Sequence, residues 1–140
     1  MADRNVRIVR KAGKKPTMKS FPKTASTALD KNSLVEFTSK TLGAADDNDT
    51  QILGILTQGV AATDSDYASA TNKLVEVIMP GDEVEITTTA ALTLGTSYGI
   101  SNAYTIDQSD TSNDVFTPTQ IISSTRAIGF FKGLAGDAVT

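Results

Sequence analysis

The chain has 140 residues, which is enough for one domain and an additional arm, and 39% of them are hydrophobic, which allows a buried core. It contains no Cys, His or Trp, so disulfide bonds are excluded, and the most common zinc ligands, general base and thiol nucleophile are missing. The net charge of −3 conceals a division, because residues 1–31 carry nine Lys and Arg against two Asp, whereas residues 32–140 carry four against fourteen Asp and Glu.

Residues 1–31 form a basic segment that we interpret as an extended N-terminal arm, followed by a single β domain over residues 32–140. A glycine and two prolines interrupt this segment, which prevents a long helix. Its charge indicates an acidic partner, on which the arm would become ordered as an added strand with charge-assisted hydrogen bonds. A solvated tail is the alternative interpretation. The residues predicted to contact the partner are Arg4, Val6, Arg7, Ile8, Arg10, Lys11, Lys14, Lys15, Lys19 and Lys23.

The rest of the chain alternates short apolar segments with polar loops at roughly the 8–12-residue spacing of β-sandwiches and barrels. We therefore predict an all-β fold, a small antiparallel β barrel or sandwich with about seven or eight strands. Gly54, inside one of these segments, predicts a bulge or the close approach of a neighbouring backbone. The predicted strand segments are 34–38, 51–60, 73–79, 83–89, 96–106 (two short strands), 115–123 and 126–134.

The segment 73–89 is the centre of the predicted fold. Its two halves alternate apolar and polar residues with a period of two, as half-buried strands do. Between them, Pro80, Gly81 and Asp82 favour a type II turn. That turn forms either a hairpin or, because a type II turn splays a tight hairpin, a corner between two sheets. The predicted core residues are Leu53, Ile55, Val75, Val77, Val84, Ile86, Ile128 and Phe130.

Acidic residues in two loops were weighed as metal ligands. The run at 46–49 lacks the glycine and the glutamate that an EF-hand loop requires at its sixth and twelfth positions. Asp107, Asp110 and Asp114 lie in one loop and could converge on a cation, but acidic residues of loops are more commonly solvated. We predict no metal and no cofactor.

The sequence does not provide the residues for catalysis or for nucleic-acid recognition. Glu83 and Glu85 share one strand face without another polar partner, which indicates an outward face rather than a catalytic pair.

An acidic body would repel a phosphate backbone. Tyr67, Tyr98 and Tyr104 are not flanked by Lys or Arg, whereas proteins that stack bases on aromatic side chains interleave the two. No apolar run approaches the roughly 18 residues of a membrane span. We predict a protein that is not an enzyme and does not bind a membrane. Non-specific binding of DNA through the basic arm stays a minor alternative.

Three segments carry a resemblance to a known family: LGILTQGV at 53–60, VEVIMPGDEVEI at 75–86 and AIGFFKGLAG at 127–136. Placed after an extended arm, they resemble the small head-decoration (cement) proteins of tailed bacteriophages. The resemblance implies a structural protein of the virion, made in the host cytoplasm, that binds the major capsid protein on the exterior of an icosahedral capsid and stabilises it. It further implies clustering as a homotrimer and attachment through the N-terminal arm.

An alternative function belongs to a different class. A non-enzymatic β-type module for carbohydrate binding or surface attachment, on a virion or a cell, would also need no catalytic residues. Sugar sites generally use an exposed aromatic platform, and the chain has no Trp and only three Tyr, which counts against this alternative.

Overall fold

The structure, a computed structural model, describes residues 6–11, 17–38, 40–47 and 51–132. This part of the chain forms eleven β-strands, which confirms the predicted all-β class, and it contains no helix long and apolar enough to cross a membrane. The strands are β1 (Arg7–Arg10), β2 (Met18–Pro22), β3 (Leu34–Thr38), β4 (Thr41–Ala44), β5 (Gly54–Leu56), β6 (Asn72–Val77), β7 (Glu83–Thr88), β8 (Gly99–Asn102), β9 (Thr105–Asp107), β10 (Phe116–Ser123) and β11 (Arg126–Phe131).

The strands form two sheets. The five-stranded sheet has the order β2-β6-β5-β3-β4 and is antiparallel throughout. The six-stranded sheet has the order β10-β11-β7-β9-β8, with β1 also paired to β7, and its β7–β9 pair is parallel. Single bridges, Tyr98–Phe116 and Lys23–Leu42, connect the outer strands of each sheet, but neither sheet closes into a barrel. The architecture is therefore a sandwich of two curled sheets.

The turn after β6 leads the chain from one sheet into the other. The Asp82 amide donates to the Met79 carbonyl at 3.0 Å, which closes a four-residue turn with Pro80 at its second position. Gly81 follows with φ of 89°, the positive value that a type II turn requires at its third position. Because β6 belongs to the five-stranded sheet and β7 to the six-stranded sheet, the predicted type II turn is a corner between sheets and not a hairpin.

Two separate hydrophobic clusters stabilise the fold, and the five-stranded sheet lies between them. The main core fills the space between the sheets, and the second core lies on the other face of the five-stranded sheet. Neighbouring residues of one strand therefore enter different cores. Leu34 of β3 lies in the main core and Val35 in the second, and the same holds for Ile55 and Leu56 of β5. The predicted close approach at Gly54 is confirmed, because a Cβ there would lie 2.3 Å from the Glu76 carbonyl oxygen.

The face predicted for β11 is wrong. Six of the eight predicted core residues are buried, but Ile128 is only half-buried and Phe130 is 37% exposed. Ala127 and Phe131 occupy the main core instead. The rings of Phe131 and Phe116 meet edge to face there, with 5.0 Å between their centroids. The segment is apolar on both faces, so alternation alone could not decide which face is buried.

Parts of the predicted arm belong to the two sheets. β1 pairs with β7, whereas β2 pairs with all but one residue of β6. Val6 is buried in the main core, and Phe21 is buried in the second core, where its ring lies 5.1 Å from that of Phe37. Removing residues 1–31 would therefore take one strand from each sheet.

Substitution of the two adjacent phenylalanines of β11 tests this face assignment. We expect Phe131→Ala to lower the free energy of unfolding by about 3–5 kcal/mol, because it leaves a cavity in the main core. Phe130→Ala should cost less than about 1 kcal/mol, because that ring is partly exposed on the outer face. Urea unfolding measures both. Equal costs, or a larger cost for Phe130→Ala, would place the wrong side of β11 in the core.

Candidate functional site

The arm meets the body on the outer face of the six-stranded sheet. Val84 and Ile86 point into the main core, so the alternate residues of β7 point away from it, as predicted for Glu83 and Glu85. Strand register places basic residues on one side of these carboxylates and apolar residues on the other. Two cross-strand rows result, Arg7–Glu85–Ile128 and Arg10–Glu83–Phe130. We call these residues, together with Thr87 and Arg126, the outer face.

Glu85 is held between two arginines. Its Oε1 accepts hydrogen bonds from Arg7 Nη2 at 2.8 Å and from Arg7 Nε at 3.2 Å. Its Oε2 accepts from Arg126 Nε, and Arg126 Nη1 donates to Thr87 Oγ1 at 3.2 Å. Burial alone would raise the pKa of Glu85, but the hydrogen bonds from Arg126 and Arg7 outweigh it and hold that pKa below its ordinary value of 4.5.

Lys11 and Asp82 form a buried ion pair at the corner between the sheets. The Asp82 side chain has no exposed surface and that of Lys11 is 10% exposed. Lys11 Nζ donates to Asp82 Oδ2 and to the Val77 carbonyl at 3.3 Å, and Asp82 Oδ2 also accepts from the Met79 amide at 2.9 Å. The Val77 amide in turn donates to the Thr17 carbonyl at 2.8 Å. Lys11 and Thr17, the described residues that flank positions 12–16 in the sequence, therefore both contact the corner.

Arg10 makes a weaker contact with the body. Its Nη1 lies 3.3 Å from Glu83 Oε1, and the two side chains are 76% and 23% exposed. An ion pair this accessible to water contributes only about 0–1 kcal/mol. Most of the Arg10 guanidinium therefore faces solvent, where a partner can contact it.

Lys23 is part of the interior. It is completely buried, and its Nζ donates to the carbonyl of Tyr67 at 2.9 Å and to that of Ser69. These bonds anchor the loop that precedes β6. The same loop is fixed by Asp66, whose pKa is lowered to about 2, first by the hydrogen bond from Lys73 and then by that from Thr71.

The other described residues predicted for attachment do not lie together on one exposed surface. Val6 is buried and Ile8 packs against the main core, so both face inward. Lys19 is half-buried on β2. Arg4, Lys14 and Lys15 lie outside the described residues. Among the described residues of this set, Lys11 and Lys23 are thus largely or fully buried and bound within the chain, whereas Arg7 and Arg10 bind Glu85 and Glu83 with side chains that remain 65% and 76% exposed.

The sequence analysis did not identify the partner of β1 within the chain. The signal was present, because the basic segment RIVRK at 7–11 and the acidic segment DEVE at 82–85 carry complementary charges at similar spacing. Each segment was interpreted alone, and strand pairing at this separation in sequence is not specified by local patterns.

The acidic loop residues weighed as metal ligands serve the turns around them. Asp107 Oδ1 accepts from the amide and the hydroxyl of Ser109, and Asp110 Oδ1 accepts from the amides of Ser112 and Asn113. Asp114 forms an ion pair with Lys132 at 2.7 Å. Within the described ranges, no group of three or more acidic residues is placed to hold a metal ion.

The three tyrosines do not form a sugar-stacking platform. Tyr98 is buried, and its hydroxyl accepts a hydrogen bond from the Thr93 amide at 3.0 Å. Tyr67 and Tyr104 are half-buried. Tyr98 is therefore excluded as a platform, and the other two rings are only partly accessible, which weakens the carbohydrate-binding alternative.

The large apolar residues that remain exposed indicate where contacts with a partner could form. They are Val9 (39%), Met18 (42%), Leu94 (57%), Ile122 (46%) and Phe130 (37%). Val9 and Met18 belong to the arm strands β1 and β2, and each is adjacent to a basic residue, Arg10 and Lys19 respectively. The arm thus combines exposed apolar surface with positive charge.

A depression of about 280 Å³ lies at the end of β7, beside the turn between β10 and β11. We call it the hydroxyl-lined depression. Its five lining residues supply four hydroxyl groups and one guanidinium, and none of them is acidic. They are Thr87, Thr88, Ser123, Thr125 and Arg126.

In comparisons with protein-family models, curated proteins and solved structures, nothing matched this chain.

Single replacements of Lys11 and Arg10 compare the contribution of the buried ion pair at the corner with that of the exposed ion pair on the outer face. Lys11→Met leaves the Asp82 carboxylate buried without its cation, so we expect the free energy of unfolding to fall by about 3–5 kcal/mol. Arg10→Met removes an exposed pair and should cost less than about 1 kcal/mol. Both are measured by urea unfolding at pH 7. Similar small costs would show that the corner does not depend on Lys11.

Lowering the pH tests how much Glu85, held by Arg7 and Arg126, stabilises the folded protein. We call this group of three residues the clamp on Glu85. The pKa of Glu85 is lower in the folded state than its ordinary value of 4.5. The stabilisation that Glu85 contributes is therefore fully present above pH 4.5 and is lost as the pH falls through the folded-state pKa. The difference in Tm between the wild type and Glu85→Gln should be largest near pH 7 and should shrink below pH 4.5. Glu83→Gln, at an exposed pair, serves as the control and should change Tm little at pH 7. Parallel Tm curves for the wild type and Glu85→Gln would contradict the clamp.

Proposed function

We propose that this protein is a non-enzymatic structural protein that binds the exterior of an icosahedral capsid and stabilises it. One observation carries the proposal: the arm strands expose the apolar residues Val9 and Met18 and the charged side chain of Arg10, while the same strands are paired within the two sheets. Exposed apolar residues with neighbouring charge are typical of surfaces that contact another protein. The resemblance to head-decoration proteins supplies the identity of the partner, the major capsid protein.

Attachment in this proposal depends on apolar contact as well as charge. Lys11 and Lys23 are largely or fully buried and engaged within the chain, and Lys19 is half-buried, so the described arm offers mainly Arg10, Lys31 and the exposed part of Arg7 to an acidic partner. Single exposed ion pairs contribute only about 0–1 kcal/mol. Burial of Val9 and Met18 adds a contribution that salt does not screen, and linked copies multiply the effect of each contact.

Association as a homotrimer is part of the proposal. Ile122 is exposed on β10, an edge strand of the six-stranded sheet, and edge strands of small sandwiches are commonly covered by neighbouring copies.

The alternative, a β-type ligand-binding module, is favoured by a single feature, the hydroxyl-lined depression. Threonine and serine hydroxyls can bind the hydroxyls of a sugar. None of the residues that line the depression is aromatic, so such a site has no ring on which a sugar could stack. The structural role therefore remains the better supported proposal.

Pelleting with DNA-free capsids assembled from the major capsid protein tests the proposal. Wild-type protein should sediment with the capsids and raise their thermal stability. The double variant Val9→Ser, Met18→Ser should keep the Tm of the isolated protein within a few degrees yet lose at least tenfold in capsid affinity, because two exposed apolar contacts, each worth about 1 kcal/mol, disappear. Leu94→Ser is the matched control, since Leu94 is more exposed but lies outside the arm.

Two results would contradict the proposal. If wild-type protein does not sediment with capsids, the capsid is not its partner. If Leu94→Ser abolishes binding and the double variant does not, attachment occurs through the body and not through the arm.

A further inference from the structure

The outer face presents positive charge to solvent, because two of its arginines are far more exposed than its carboxylates. The side chains of Arg7 and Arg10 are 65% and 76% exposed, whereas those of Glu85 and Glu83 are 11% and 23% exposed. A partner that approaches this face therefore meets guanidinium groups before it meets carboxylates. Their charge favours a partner whose own surface is acidic.

The exposed guanidinium groups are positioned before a partner arrives. Arg7 donates to Glu85 from Nε and from Nη2, and Arg10 donates to Glu83 from Nη1. Both arginines belong to β1, whose register on β7 is fixed by strand pairing. Side chains that are already oriented lose less conformational entropy when a partner binds them.

An apolar column lies beside this basic surface. Strand register places Ile128 and Phe130 of β11 opposite Glu85 and Glu83. Ile128 is half-buried, and Phe130 is the one aromatic residue among the exposed large apolar residues of the described ranges. Arginine and aromatic side chains are enriched in protein–protein interfaces and among the residues that dominate their affinity. The outer face therefore combines a charged contact with an apolar one.

The strand order sets the distance between these two kinds of contact. β7 pairs with both β1 and β11 along residues 83–85, so it lies between them. Neighbouring strands are about 4.8 Å apart, which places the arginines of β1 roughly 10 Å from the apolar residues of β11. A partner that matches this face carries a carboxylate and an apolar side chain at that separation.

We propose that the outer face is the docking surface for an acidic segment of the major capsid protein. A carboxylate of that segment contacts Arg7 and Arg10, and an apolar side chain of the same segment covers Phe130. The identity of the partner rests on the proposed function. The inference extends the attachment surface from the arm to β11, so the arm and the body bind one segment together.

Crosslinking from position 130 tests where this face docks. Full-length protein with Phe130→p-benzoylphenylalanine is bound to DNA-free capsids and irradiated, and the crosslinked residue is identified by mass spectrometry. We expect the crosslink on the major capsid protein, within about 10 Å of an Asp or Glu side chain. Leu94→p-benzoylphenylalanine is the matched control, because Leu94 is exposed but lies outside the outer face. Crosslinks from position 94 and none from position 130 would overturn the proposal.

Capsid pelleting of single variants separates the outer face from general charge attraction. Arg10→Gln and Phe130→Ala should each weaken capsid binding about three- to tenfold, while the Tm of the isolated protein stays within a few degrees. Lys31→Gln removes one exposed positive charge of the arm outside the outer face and should bind within about twofold of the wild type. Equal losses for Lys31→Gln and Arg10→Gln would show that overall charge, and not this face, attracts the capsid.

An exchange of charges establishes direct contact. Arg10→Glu should bind wild-type capsids more weakly than Arg10→Gln does, and binding should recover on capsids in which the acidic residue nearest the crosslink is replaced by arginine. Failure to recover would overturn the contact with Arg10.

The same pelleting distinguishes this inference from the proposed function. If the wild type does not sediment with capsids, the proposed function fails and the inference fails with it. If the wild type sediments and both Arg10→Gln and Phe130→Ala bind as tightly as it does, the proposed function stands and docking through the outer face is overturned.

Discussion

The buried ion pair between Lys11 and Asp82 is the constraint on which the arrangement of the two sheets depends. Asp82 terminates the type II turn that carries the chain from β6 to β7, and its side chain is fully buried. A carboxylate removed from water is strongly destabilising unless a cation and hydrogen bonds compensate it. Lys11 and the Met79 amide provide that compensation. A residue of the arm is therefore required at the corner that joins the sheets, and the arm is part of the fold.

This constraint changes the meaning of the charge division in the sequence. The positive segment and the acidic body indicated a partner, and one partner is the acidic strand β7 of the same chain, through Glu83 and Glu85. Among the described residues, Arg7, Arg10 and Lys11 thus have acidic partners within the chain. What the described arm can offer to another protein is less charge than the sequence suggests, but it includes apolar surface at Val9 and Met18. Such a surface binds with weaker salt dependence than a purely basic tail would.

Local patterns predicted the all-β class, the type II turn and most of the core, because turn chemistry and alternation are local properties. They did not predict the buried face of β11, where Phe130 and Phe131 are equally apolar and only the tertiary register decides between them. Alternation also could not show that Leu34 and Val35 enter two different cores, because a strand buried on both faces has no polar side. The clamp on Glu85 depends on strands that are distant in sequence, which no local pattern specifies.

The clamp on Glu85 also connects the arm to β11. Glu85 is shared between Arg7 of the arm and Arg126 of β11, and β7, which carries Glu85, pairs with both strands. If β1 were displaced, Arg7 would leave, and the largely buried carboxylate of Glu85 would keep only one of these two guanidinium partners. Seating of the arm therefore stabilises the outer face beyond the strand pairs that β1 itself forms.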